Sequence, residues 1–288
     1  MPVHPRKRFS LRLREPKGFL ELGDRTLVMG IVNVTPDSFS DGGRFFGADS
    51  AVDQARRMIE AGADILDIGG ESTRPFSEPV DADEELRRVM PVIEGVRRFS
   101  KVPISIDTTK AAVARRALEC GADIVNDVSA LGFDGEMVHL VARTGVPVIL
   151  MHMQGTPRTM QENPHYDSLF SEIIAFLEER TRFAVQHGVD RSQVVVDPGI
   201  GFGKTVAHNA RIVARLDFLH ALERPILFGA SRKRFIGTIL DREVDDREVG
   251  TAVVNTQAVL AGAHIIRVHD VAFHKQVAVM ADALRLHC

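Results

Sequence analysis

One local pattern recurs eight times along this chain and leaves few folds open to it. A helical stretch closes on glycine or proline, a short link follows, then a run of aliphatic and β-branched residues that ends in a polar loop. The runs lie at 26–32, 65–68, 104–107, 124–127, 146–150, 194–197, 226–228 and 265–268. Glycines 62, 121, 145, 188 and 262 sit where helices stop, because glycine takes a positive φ without penalty. The stretches after the runs predict helices over 50–61, 82–99, 110–120, 136–144, 169–187, 208–222, 247–261 and 271–286. The first shows the apolar stripe of a helix, with Val52, Ala55 and Ile59 opposed to Arg56, Arg57 and Glu60. Short apolar strands alternating with helices imply a parallel sheet buried on both faces. Eight such units in 288 residues imply a single-domain α/β fold, a (β/α)₈ TIM barrel over 26–288, with an open doubly wound sheet as the competing architecture. Residues 1–25 form an N-terminal extension. Its basic start, 1–17, reads as a mobile arm, part of which can pair as a short strand because Phe9, Leu11 and Leu13 alternate with polar residues.

Composition removes several classes of function. A net charge of -3 gives no footprint for nucleic acid or an anionic membrane surface. No apolar run is long enough to span a bilayer, and the basic N-terminus lacks the apolar core of a secretory signal. The two cysteines, Cys120 and Cys288, cannot build a disulfide framework, which favours a reducing, cytoplasmic setting.

A barrel of this type carries its chemistry at the C-terminal ends of its strands. Those ends are Asn33, the stretch Gly69-Gly70-Glu71-Ser72-Thr73-Arg74, Asp107, Asn126, Met151-His152, Asp197, Gly229-Ala230-Ser231-Arg232-Lys233 and Arg267-Val268-His269-Asp270. Every one is polar or charged, and in a barrel they converge on one rim. Asp107, Asn126 and Asp197 suit a flat heterocycle with several N–H donors, although a loop-holding network would use the same groups. Arg267, His269, Lys233, Ser231 and Arg74 suit phosphate, which Arg binds as a fork and which this barrel commonly holds after its seventh and eighth strands. Ser231 can also cap a helix, and an Arg267–Asp270 ion pair is the bland alternative for that arginine. The run from Asp197 to Thr205 looks like a nucleotide phosphate loop, but Pro198 stands where the first glycine belongs. What is left is a strand-end carboxylate on a Pro-Gly turn, with Phe202 raised on Gly-Phe-Gly. His139, His187, His220 and His287 read as surface residues, and His152 lacks a suitably spaced second metal ligand. The loop 33–43, with two Asp, two Ser, a Thr, an Asn and Phe39 ahead of a Gly pair, suits a segment that grips a substrate.

At this point the residues resemble a known family. The stretch from Met29 through Asn33 and Pro36-Asp37-Ser38-Phe39 to Asp41-Gly42-Gly43 resembles the first signature of the dihydropteroate synthases, and Gly69-Gly70-Glu71-Ser72-Thr73-Arg74-Pro75 the second. Ser105–Lys110, Asn126-Asp127, Met151–Gly155, Asp197-Pro198-Gly199, Ser231-Arg232-Lys233 and Arg267–Asp270 follow in the family's order, so the likeness runs from Thr26 to about Ala278. The resemblance implies a folate-synthesis enzyme. It joins 6-hydroxymethyl-7,8-dihydropterin diphosphate to p-aminobenzoate, with Mg²⁺ as cofactor and a homodimer as the usual assembly. It implies that Asp107, Asn126, Asp197 and Lys233 hold the pterin beside Met151 and Gly229. Arg74, Arg267 and His269 hold the diphosphate, and Asn33 helps to place Mg²⁺. Phe39, Thr73, Pro75, Phe202 and Ser231 form the p-aminobenzoate site, with Asp41 in a closing loop. The chain departs from the family at Phe76-Ser77, where a small Gly-Ala pair is usual, so altered discrimination against sulfonamides is expected. A pterin-dependent methyltransferase and a non-catalytic pterin-binding barrel are the alternatives. The first leaves the anion-binding residues without a purpose.

Overall fold

The computed structural model describes residues 6–34, 44–72 and 79–287. A hairpin comes first, β1 (Phe9–Arg12) antiparallel to β2 (Phe19–Leu22). Then come β3 (Leu27–Asn33), α1 (Arg44–Glu60), β4 (Ile65–Gly69), α2 (Ala82–Arg97), β5 (Ile104–Asp107) and α3 (Ala111–Glu119). The middle of the chain supplies β6 (Ile124–Asp127), α4 (Gly135–Thr144), β7 (Val148–Met151), α5 (Leu169–Gln186), β8 (Val194–Asp197) and α6 (Val206–Ala214). The chain ends with β9 (Leu227–Phe228), α7 (Arg234–Leu240), α8 (Glu248–Leu260), β10 (Ile265–Val268) and α9 (Val271–Leu286).

The eight strands from β3 to β10 are all parallel, in the order β8-β7-β6-β5-β4-β3-β10-β9. The ring closes through a parallel bridge between Val196 and Ile226, with the Val196 N–H donating to the Pro225 carbonyl at 2.9 Å. Proline fits at such entries because only its carbonyl is asked for. Alternate residues of each strand face opposite sides. Val28, Leu66, Ile106, Val125 and Val148 pack outward under the helices. Met29, Ile65, Ile124, Ile149, Val195, Leu227 and Ile265 fill the lower interior. The barrel is therefore solid at its base, and its open end is the strand C-termini.

The expected pairing around Phe9, Leu11 and Leu13 is formed, as a hairpin, and from Arg6 on the basic arm is packed against the barrel. Leu11, Leu13 and Leu22 are buried against that lower interior layer and plug the bottom of the barrel. The basic residues of the arm meet acids there. Lys17 pairs with Asp123 at 2.6 Å and Arg6 with Asp282 at 3.2 Å. Gln193 completes the seal, accepting from the Arg12 N–H at 3.0 Å and donating to the Arg12 carbonyl at 3.1 Å. Leu11→Ala is expected to cost about 2–4 kcal/mol, read as a lower urea midpoint, because a fully buried leucine leaves a cavity. Substrate Michaelis constants should not move, since the site lies at the opposite end.

Three helix expectations change. The first helix begins at Arg44, not at 50. The stretch 208–222 is not one helix: Arg215 leaves helical backbone space, and Leu216–Leu222 continues as a 3₁₀ segment. Its buried residues are Leu216, Leu219 and Leu222, a spacing of three that matches three residues per turn. Helix α7 is additional to the eight expected helices, since seven residues containing Gly237 carry little helical periodicity.

Candidate active site

Above the apolar base, the inward positions turn polar. Strand register brings Asn33, Gly69, Asp107 and Asn126 side by side along one ring of the rim. Asp67 lies one inward step below Gly69, in register with Ser105. Arg267 rises on β10 between them. Its Nε donates to Asp67 Oδ2 at 2.6 Å and its Nη2 to Asp107 Oδ2 at 2.7 Å. Asn126 turns its amide N–H toward the same Asp67 carboxylate at 3.2 Å. The alternative Arg267–Asp270 pair gives way to the pairs with Asp67 and Asp107. Asp270 instead caps α9, accepting from the Phe273 N–H at 3.0 Å.

One guanidinium thus serves two buried carboxylates. Burial, and then the neighbouring Asp67 charge, push the Asp107 carboxyl up to about 7 against the pull of Arg267. Across the barrel, Asp197 ends β8 and accepts from the Gly199 N–H at 2.7 Å. Burial lifts its carboxyl to about 6, opposed by that hydrogen bond and by Lys233, Arg267 and Lys204. These are acids near their titration point, held in a polar layer with no apolar excuse for being there.

A soft apolar wall stands over this layer. Met151, Val128, Met153, Met160 and Phe202 form a separate buried cluster. Phe202 is 6% exposed, so it is not raised on its loop. It packs down, and the Lys233 ammonium lies 4.2 Å from its ring centroid. The turn that carries it is fixed at each carbonyl: Gln161 donates to Gly201, Lys204 to Phe202 and Tyr166 to Gly203, at 2.7, 2.8 and 2.7 Å. Between the wall and the carboxylates lies a narrow cavity. Asp107, Asn126, Asp197, Lys233 and Arg267 line it with Met151, Phe202 and Gly229. Its polar groups sit on the floor and one side and its apolar groups on the other, as a flat polar ring with an apolar face requires.

Half of the residues expected at the site line this cavity, and Asn33, Ser231 and His269 lie outside its lining. Asn33 is half-buried at the end of β3. Ser231 does not cap α7, whose N-cap is Lys233 without a side-chain hydrogen bond. Its hydroxyl accepts from the His269 N–H at 3.2 Å and lies 2.9 Å from His269 Nδ1, joining the loops after β9 and β10. Phe39, Asp41, Thr73, Arg74, Pro75, Phe76 and Ser77 lie outside the described residues. Among the buried histidines, His152 meets Lys204 and His274 meets Glu248, each at 2.9 Å, so neither stands with a group of metal ligands. The residue the sequence reading missed is Asp67. A lone carboxylate inside the apolar run Ile65–Gly69, on the inward-facing parity, was the available signal.

Comparison with known proteins agrees with this geometry. A family model described as pterin binding enzyme matches residues 29–269. The chain is 47% identical over 263 residues to a dihydropteroate synthase of Synechocystis sp., covering 91% of each chain. It is 47% identical over 244 residues to the dihydropteroate synthase of Escherichia coli, covering 85% of this chain and 86% of that one. Among solved structures, a Yersinia pestis dihydropteroate synthase in a sulfonamide drug complex matches with a TM-score of 0.90 and 43% identity, over 96% of this chain and 100% of that one. A Xanthomonas albilineans dihydropteroate synthase in complex with 7,8-dihydropteroate matches with a TM-score of 0.83 and 43% identity, over 91% and 94%.

Proposed function

Since the chain belongs to the pterin-binding enzyme family, among its dihydropteroate synthases, we propose how the residues of this barrel mouth divide the work of that reaction. The enzyme condenses 6-hydroxymethyl-7,8-dihydropterin diphosphate with p-aminobenzoate, giving 7,8-dihydropteroate and diphosphate in folate synthesis. The observation that carries the division is the single cavity edged by two carboxylates, an amide, two cations and an aromatic wall.

Asp107, Asn126 and Asp197 accept the ring N–H groups of the pterin and fix its plane, with Met151 and Gly229 beside it. Arg267 and His269 face the diphosphate. A guanidinium has five N–H donors, and the carboxylates of Asp67 and Asp107 engage two, so others remain for an anion. Departure of diphosphate breaks the C–O bond and leaves a methylene cation conjugated with the pterin, which the nearby carboxylates stabilise. The arylamine nitrogen supplies the electron pair for the new C–N bond and then loses its proton, so no serine or cysteine nucleophile is needed. Phe202 and Ser231 bound the place where the aminobenzoate ring waits, and Lys233, over the Phe202 ring, stands between the two ligands.

The donor set also suits magnesium. Asn33 offers a hard amide oxygen at the rim, and among the described residues no three His, Cys, Asp or Glu are grouped to hold a metal alone. Mg²⁺ keeps several waters and takes its remaining ligands from substrate phosphates, which fits one protein oxygen here. When bound there it would neutralise charge on the leaving diphosphate. A homodimer is supported by α8, where Val249 and Val253 lie one turn apart and are 72% and 65% exposed, beside exposed Ile239 and Leu240 of α7. A cytoplasmic setting rests on the sparse cysteines. Among the described residues no helix is long and apolar enough to cross a membrane.

The direct test is diphosphate release that depends on both substrates; its absence from folded protein would refute the reading. Phe202→Ala in the same assay should raise the Michaelis constant for p-aminobenzoate by about tenfold while leaving that for the pterin within about twofold, since an aromatic contact is worth roughly 1 kcal/mol or more.

The raised carboxyls give a pH signature. Protonated acids accept poorly, so the Michaelis constant for the pterin should rise as pH falls from 8 toward 5, through the Asp107 value of about 7 and the Asp197 value of about 6. The contribution of the two carboxyls to the stability of the ligand-free protein should move the other way. Both lie above their unfolded value of 3.8, so through them the folded state binds more protons. Their contribution falls as pH rises from about 4 to 7, against the opposite slope of the buried neutral His152 and His264. The difference in melting temperature with and without a pterin ligand, measured across that range, checks both signs, because the histidines cancel in it and the ligand should stabilise more as pH rises.

A further inference from the structure

Two buried polar side chains at the barrel mouth have no part in the reaction as described. Lys204 ends the Gly-rich turn after β8, and His152 follows β7; they are 2% and 4% exposed. The Lys204 ammonium donates to His152 Nδ1 at 2.9 Å, to the Phe202 carbonyl at 2.8 Å and to the His152 carbonyl at 3.4 Å. That accounts for all three of its N–H bonds. Nδ1 must accept, so the imidazole is neutral with its proton on Nε2, and its ring lies against Phe176 and Tyr166, centroids 5.0 and 6.0 Å away. Burial and the Lys204 charge hold it uncharged, well below its ordinary range. The His152 backbone N–H, in turn, donates to the Asp197 carbonyl at 2.9 Å. Lys204 therefore staples the strand end that carries Met151 to the turn that carries Phe202, immediately behind Asp197.

A neutral amide could make such a staple. A buried ammonium is a costly choice for it, and what it adds is charge. After Lys233 and Arg267, Lys204 is the third cation that holds the Asp197 carboxyl down against burial. Asp197 in return favours the Lys204 charge, whereas burial lowers the ammonium to about 7, so Lys204 is a cation on the acid side of that value. The other two, Lys233 and Arg267, line the cavity, whereas Lys204 does not. The remaining titratable groups around the pair are His152 behind β7 and His208 on α6, whose charged form Lys204 disfavours.

We propose that Lys204 is a positioning residue: a buried ammonium, anchored by His152, that helps to keep Asp197 an anion while Lys233 and Arg267 turn toward the substrates. The proposal rests on the reading of Asp197 as a pterin acceptor, and the experiment separates the two. Calorimetric titration of the full-length protein with 6-hydroxymethylpterin from pH 5 to 8 gives the affinity and its acid limb. In Lys204→Met and Lys204→Gln the limb should move up by about one unit, so that affinity on its acid side falls about tenfold, because a charge within reach of a carboxylate shifts it by that order. Lys204→Arg should leave the limb in place. The Gln variant keeps a donor toward the Phe202 carbonyl and decides the matter if the Met variant does not fold. A limb unmoved in the neutral variants overturns the proposal and reduces Lys204 to packing. Asp197→Asn reports on the premise: if it binds with the wild-type limb, the Asp197 reading fails; if it loses the step near pH 6 and keeps only the one near 7 that Asp107 gives, while the Lys204 variants keep the wild-type limb, only the Lys204 proposal fails.

Discussion

Replacing Arg267 by methionine should lower kcat/KM by a thousandfold or more and destabilise the fold in a pH-dependent way. The guanidinium is the shared partner of Asp67 and Asp107, at 2.6 and 2.7 Å, and Asp67 is wholly buried. Removing one partner of a buried ion pair costs about 3–5 kcal/mol, mostly because the other charge is stranded. Here two charges are stranded, and the cheaper outcome is that Asp107, whose carboxyl is already raised, binds a proton. The loss should therefore be largest near pH 8 and shrink toward pH 5, since that raised carboxyl favours the folded state at low pH and loses the advantage as pH rises. Denaturation of wild type and variant at both pH values measures it. Adding Asp67→Asn to Arg267→Met should recover part of the stability by removing one stranded charge, and none of the activity. Arg267→Lys should also fail, because a single ammonium cannot span two carboxylates on opposite sides of a fork. An Arg267→Met enzyme with a pH-independent stability loss would mean that the three-residue network is not coupled as its geometry requires.

The same network shows where the sequence could be read and where it could not. Asp107, Asn126 and Asp197 were legible because each ends an apolar strand, and a parallel barrel sends strand ends to one rim. Asp67 does not end its strand. It precedes Gly69 by two residues, which is one inward step deeper, and Gly69 takes the rim position opposite Asp107. Arg267 is in register with Met29, and Met29 with Ile65, so β10 delivers its guanidinium from a lower level up toward both acids. That vertical stagger comes from the tilt of barrel strands, and a flat list of strand ends does not contain it. The hairpin was half legible. Alternation marked Phe9, Leu11 and Leu13, but the partner strand Phe19–Leu22 is too short to show a period, and the acids that neutralise Lys17 and Arg6 lie more than a hundred residues away. Lys204 was seen only as part of a rejected phosphate loop. Its burial depends on the crossing of the turn after β8 over the end of β7, a tertiary contact with no local signature.

That crossing predicts the second large effect. Gly199 has φ 67°, and a Cβ there would lie 1.9 Å from the His152 carbonyl oxygen. The obstacle is backbone, so no side chain can swing aside. Gly199→Ala must bear the left-handed conformation, about 1–2 kcal/mol, and then push the turn off β7, about 1–3 kcal/mol more. A fall of about 3 kcal/mol or more in unfolding free energy is expected from these two costs, with the urea m-value unchanged. Function should fail in parallel, because the displaced turn withdraws the Gly199 N–H from Asp197, now 2.7 Å away, and leaves that carboxylate less able to stay ionised under the pterin. Gly201 supplies the control. It has φ 83°, yet a Cβ there would meet only the flexible Lys233 side chain, at 3.4 Å. Gly201→Ala should therefore bear the conformational cost alone, about 1–2 kcal/mol. The difference between the two variants isolates the close approach itself. If both lose the same stability, the turn does not need to touch β7, and the staple that joins Asp197, His152 and Phe202 has to be explained another way.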